Sequence, residues 1–108
     1  MKKIILFSVY GTLLLLVTNC APSIGKIVTS QPIPSKTEAK ENFTAEQLSQ
    51  GKELWESNCD RCHKLYDETK HDSVGWNKTL KRMINRAKLS EEQGTLIRAY
   101  LIANSKES

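Results

Sequence analysis

The sequence predicts an all-α fold, a small domain of three helices, and three observations carry that expectation. Two boxes, Thr44-Ala45-Glu46-Gln47 and Ser90-Glu91-Glu92-Gln93, mark helix starts, because the hydroxyl and the amide each satisfy a backbone N–H that the first turn leaves free. Trp76, Leu80, Met83, Ile84 and Ala87 recur at helical spacing, within a stripe about 100° wide. No segment keeps the two-residue alternation of a strand.

With 108 residues the chain has room for one small domain. Residues 1–19 open with Lys2 and Lys3 and continue as an apolar run from Ile4 to Val17. The run falls short of the about 20 apolar residues a bilayer span needs. A charged head and a short apolar core instead describe an export signal. Val17-Thr18-Asn19-Cys20 resembles the lipobox of bacterial lipoproteins, with Asn19 where that family usually carries Gly, Ala or Ser. The resemblance implies cleavage before Cys20, lipidation of Cys20, and a domain displayed on the periplasmic or extracytoplasmic side of a membrane. Two or three acyl chains make a stable anchor where one does not. Loss of Lys2 and Lys3 leaves 14 basic residues against 12 acidic ones, 14 − 12 = +2. With no basic tract and no interleaved aromatics, a nucleic-acid partner is not expected.

Residues 20–42 contain all three prolines, Pro22, Pro32 and Pro34, among serines, threonines and lysines. They read as a flexible tether, whose coil would reach about 25 Å. The domain is expected over residues 43–105, a size that usually needs a disulfide, metal or other staple. Its first helix opens at Thr44 and puts Leu48, Gly51 and Trp55 on one face. Lys64 to Val74 is a polar loop. The second helix, GWNKTLKRMINRAK, carries the apolar stripe on one side and Lys78, Lys81, Arg82 and Arg86 on the other. The third begins at Ser90, buries Leu96, Ile97, Tyr100 and Leu101, and frays after Asn104. Residues 106–108 are a tail.

The chemistry concentrates in Cys59-Asp60-Arg61-Cys62-His63, the attachment pattern of c-type haem. Two thiols at this spacing can add to the two vinyl groups of one haem, and the adjoining imidazole then faces the iron as its proximal ligand. A structural disulfide would leave the adjacent histidine unexplained. A zinc cage of Cys59, Cys62, His63 and His71 would be crowded for tetrahedral geometry. A thioredoxin-like pair needs a βαβ context that is missing here. One covalent haem also supplies the apolar staple that so small a domain lacks.

The opposite axial position has two candidate ligands in the mature chain. Met83 is its only methionine and lies on the apolar stripe; His71 is the only other histidine, eight residues beyond His63. Met83 is the favoured distal ligand. His71 and an open or water-filled position remain alternatives.

The pattern Gly51-x-x-x-Trp55 before CxxCH, together with the closing LSEEQGTLIRAYL, resembles the class I c-type cytochromes. The stretch CHKLY followed by GWNKTLKRMINRAKLS is similar to short monohaem members of that family. The resemblance implies a small three-helix cytochrome c fold wrapped around one covalent haem. It also implies that the first and last helices cross near Gly51 and Tyr100, and that Met83 ligates iron, with Trp76 and Arg82 at the matching places of the pattern. Many members carry a proline after the haem motif; none follows His63 here, so a backbone carbonyl of the 64–74 loop is expected to orient its ring.

A His/Met site has no vacant position for a substrate, which implies a one-electron carrier rather than an enzyme. Lys78, Lys81, Arg82, Arg86 and Lys88 offer a basic rim for an acidic redox partner. The rival readings are a haem protein with an open sixth site, the haem subunit of a larger oxidoreductase, and a zinc-stapled interaction module.

Overall fold

The structure is a computed structural model that describes residues 21–107. The expected export signal and Cys20 lie outside the described residues. Within them all regular structure is helical: α1 (Ile24–Thr29), α2 (Lys36–Asn42), α3 (Ala45–Cys59), a 3-10 turn at Glu68–Lys70, α4 (Ser73–Arg86) and α5 (Glu91–Ala103). The three expected helices are α3, α4 and α5. Both capping boxes are formed, with Thr44 and Ser90 as N-caps and the Gln47 and Gln93 side chains accepting from the cap N–H groups.

The tether expected over residues 20–42 is corrected by the structure, because α1 and α2 are built from it. Val28 is 2 % exposed and Ala39 fully buried, and both belong to the main core. The prolines fall before α1 and in the link between α1 and α2, where a missing N–H costs nothing. A third capping box, Ser35 with Glu38, starts α2 among them.

Two features of α5 require this cover. Ile102 and Ala103 lie outside the stripe read from the sequence, yet both are fully buried. A helix apolar on nearly all sides must be enclosed, and α5 touches each of the other four α-helices. Arg98, 8 % exposed, then clamps the N-terminal segment. Its Nε donates to Asn77 Oδ1 at 2.8 Å, and its Nη2 donates to the carbonyls of Gln31 and Pro32, both at 3.0 Å. Arg98→Met keeps the apolar stem but leaves these acceptors unpaired. It should cost about 2 kcal/mol in urea unfolding and speed amide exchange in residues 24–42 while leaving α3 protected.

The helices meet at backbone distance in two places. At α1–α4, a Cβ on Gly25 would lie 2.0 Å from the Lys81 carbonyl oxygen, and the Gly25 N–H donates to Asn85 Oδ1 at 2.9 Å. At α3–α5, a Cβ on Gly51 would lie 2.2 Å from the Leu96 carbonyl oxygen and 2.9 Å from Tyr100 Cβ. Trp55 packs on Tyr100 just beyond, with ring centroids 5.7 Å apart.

A Schellman turn ends α4. Lys88 N–H donates to Asn85 O at 3.2 Å and Leu89 N–H to Ile84 O at 3.1 Å, with Lys88 left-handed at φ 54. The buried pair Ile84 and Leu89 supplies the apolar contact that accompanies such a turn. The polar loop before α4 folds back on the core: Trp76 Nε1 donates to Glu68 O at 2.7 Å, and the Tyr100 hydroxyl donates to the Glu68 carboxylate. At the C-terminus, Ser105 is fully buried and Lys106 N–H donates to His71 O at 3.1 Å, so the last residues also brace this loop.

Burial, and then the Glu68 carboxylate, push the Tyr100 phenol well above its usual value. The folded state therefore keeps a proton that the unfolded chain releases from about pH 10. Its contribution to stability is complete below that pH and is lost as pH climbs beyond it. The urea midpoint should fall above pH 10 in the native protein. Tyr100→Phe should start about 1–2 kcal/mol lower at pH 7 and show a flatter alkaline limb.

Candidate functional site

A cavity of about 510 Å³ opens between the C-terminal half of α3, the loop after it and one side of α4. Its size is in the range of cofactor sites. The inner wall is apolar: Trp55, Leu65, Trp76, Leu80, Ala87 and Leu101. Cys59, Cys62, His63, His71 and Met83 all line it as well. The structure thus brings together every chemistry-bearing residue that the sequence singles out within the described residues.

Each is positioned by local structure. Cys59 is the last residue of α3 and is buried, whereas Cys62, three residues on in the turn that follows, is exposed. No disulfide joins them. Burial, and then the neighbouring Cys62, raise the Cys59 thiol above its ordinary value, which keeps it protonated and slow to oxidise. The two sulfurs are presented from a helix end and from the adjoining loop, one deep in the wall and one at the opening.

His63 is exposed, with Nδ1 2.8 Å from the Lys64 carbonyl oxygen. A carbonyl can only accept, so Nδ1 carries a proton and donates, which leaves Nε2 as the nitrogen that can face a metal. The orienting carbonyl expected somewhere in the 64–74 loop is that of Lys64, the first residue of the loop. Tyr66 stacks obliquely on the imidazole at 5.1 Å and carries Lys70 Nζ 3.2 Å above its own ring centroid.

Met83 is half-buried on the cavity side of α4, one turn beyond Thr79 and beside Leu80. His71 reaches the cavity from the far end of the loop. Its ring meets the Trp76 edge at 4.8 Å, nearly perpendicular, and fills the space where a side chain on Gly75 would sit. That packing commits the His71 ring to α4.

The cations divide. Arg82 and Arg86, read from the sequence as part of an outer rim, line the cavity; Lys78 and Lys81 are exposed and do not. The signal was present in the spacing, since at 100° per residue Arg82 and Arg86 lie about 100° and 60° from Met83, both on the same side of it. Asn58, Thr79 and Lys70 also line the cavity, and the sequence reading passed over them.

No protein-family model, no curated protein and no solved structure matches this chain.

The donor set fits a covalently attached haem better than a bare ion. Two thiols bracket a turn, an imidazole adjoins the second, a thioether lies on the facing helix, and the space among them is apolar and larger than a metal ion needs. Guanidinium groups are also at hand for acidic substituents of such a group.

Proposed function

We propose that this protein is an exported, lipid-anchored electron carrier of the class I c-type cytochrome kind, not an enzyme. Cys59 and Cys62 hold one haem through thioethers, His63 Nε2 is the proximal ligand and Met83 the distal one. The observation that carries this reading is the convergence of Cys59, Cys62, His63 and Met83 on one cavity with apolar walls. A haem bound there supplies reversible one-electron exchange between Fe(III) and Fe(II).

The remaining residues serve that exchange. Trp55, Leu65, Trp76, Leu80 and Leu101 exclude water, which favours the form of lower charge. Lys64 O fixes the His63 ring through Nδ1. Arg82 and Arg86 place positive charge at the cavity wall, where they balance acidic groups and mark an approach for an acidic redox partner. Cys20 carries the lipid, and the domain works either alone or as a subunit of a larger oxidoreductase. The close α3–α5 crossing at Gly51 and Tyr100 supports the family resemblance.

The test is a redox titration of the full chain matured in a host that attaches haem c, followed by carbon monoxide. A single reversible one-electron step, with no carbon monoxide binding to the reduced protein, is expected. Rapid carbon monoxide binding would replace the carrier with a ligand-binding or peroxidase-like haem protein.

A further inference from the structure

Folding of the segment after Cys20 changes where the domain stands. As a coil, residues 21–42 would hold it about 25 Å from the anchor. Among the described residues Ala21, Pro22 and Ser23 precede α1, and Ser23 is already its N-cap. Three extended residues reach about 10 Å. Since α1 is fastened to α4 through Gly25 and Asn85, and α1 meets α5 as well, the domain cannot swing away on a long leash.

The surface next to that attachment point is cationic. The chain from residue 21 to 30 and from 73 to 90 contains six basic residues and no acidic one. All 12 acids of the chain lie elsewhere, with the other eight basic residues of the mature protein, leaving that remainder at 8 − 12 = −4. Of these six cations Arg82 and Arg86 line the cavity, while Lys26, Lys78 and Lys81 are exposed outside it. On α4, Asn77, Lys81 and Asn85 form a row four residues apart, of which Asn77 and Asn85 hydrogen-bond to α1. Lys78 follows on the solvent side of that row, with Val74 one turn before it; Val74 is 60 % exposed. Exposed lysines with an exposed apolar side chain one turn from Lys78 suit the headgroup region of an anionic bilayer.

We infer that the α1–α4 face rests on the headgroups of an acidic phospholipid bilayer, with Lys26, Lys78 and Lys81 against the lipid. The inference rests on the export and lipidation of Cys20 proposed above. It fixes the orientation of the domain: Thr79 and Met83 of the cavity wall lie about 100° and 140° around α4 from Lys78, so the cavity opens away from the lipid, with only its Arg82 edge, about 40° from Lys78, close to it.

Lysine footprinting tests this on the full acylated, haem-loaded protein. The protein is placed in vesicles of phosphatidylcholine, with or without phosphatidylglycerol, and lightly acetylated, and each lysine is read by mass spectrometry. Lys26, Lys78 and Lys81 should be modified about fivefold more slowly when phosphatidylglycerol is present, with full recovery in high salt. Lys40, Lys52 and Lys106 should not change. Equal modification of all six in both vesicles overturns the docking. Protection that appears only after a soluble protein is added assigns the face to that protein and overturns it too. The N-terminal peptide reports the anchor separately: an unmodified Cys20 in a protein that leaves the vesicles removes the basis of the inference. The same protection in a preparation lacking a Soret band supports the docking and sinks only the redox reading.

Discussion

Gly51→Ala is expected to destabilise the domain by about 3 kcal/mol, although alanine is the better helix former. At an open helical site this exchange gains about 1 kcal/mol. Here the new methyl would lie 2.2 Å from the Leu96 carbonyl oxygen, 2.8 Å from its carbon and 2.9 Å from Tyr100 Cβ. The first two are backbone atoms of the central helix, so no rotamer change relieves them. The helices must separate, which opens the Trp55–Tyr100 contact and the wall of the cavity. Overpacking of this kind costs about 1–3 kcal/mol and at times more, against a total stability of about 5–15 kcal/mol for a domain. Urea unfolding at neutral pH reads the effect directly; a neutral or stabilising result would show that α3 and α5 are not in backbone contact. The haem content of the variant should fall with it, because Cys59 ends the displaced helix.

Met83→Ala should change the spectrum and potential far more than the stability. The side chain is half-buried, so its loss costs about 1–2 kcal/mol. The oxidised protein is expected to lose the weak far-red charge-transfer band that accompanies thioether ligation. The reduced protein should bind carbon monoxide, and the reduction potential should fall by on the order of 100 mV or more. The matching His71→Ala variant should keep the band, having lost only its packing on Trp76 and Gly75. Persistence of the band in Met83→Ala together with its loss in His71→Ala would move the distal role to His71.

How far the sequence could be read depended on the range of each interaction. Thr44 with Gln47 and Ser90 with Gln93 are local boxes, and the structure forms both. The stripe of α4 also needed only its own period, and Trp76, Leu80 and Ile84 are buried as expected. The segment before Asn42 failed differently. Its Ser35–Glu38 box is as local as the others, but the expectation of a tether rested on the prolines and the missing period and did not use it. The partners that order this segment, Asn85, Asn77 and Arg98, lie 48 to 67 residues away and leave no local trace. Ile102 and Ala103 were the available clue: apolar residues on the back of α5 need a cover, and α1 and α2 pack against that helix. At the cavity, the motif Cys59-x-x-Cys62-His63 is compact enough to be read at sight. The Lys64 carbonyl depends on the backbone path after it, which no residue type specifies.

The most direct measurement is the visible spectrum of the full chain, matured in a host that attaches haem c and recorded before and after denaturation. The expected result is a Soret band that stays with the unfolded polypeptide and is absent from the Cys59→Ser, Cys62→Ser double variant. A wild-type protein that is exported and folded but has no Soret band, or that releases its haem on denaturation, would contradict covalent attachment at Cys59 and Cys62.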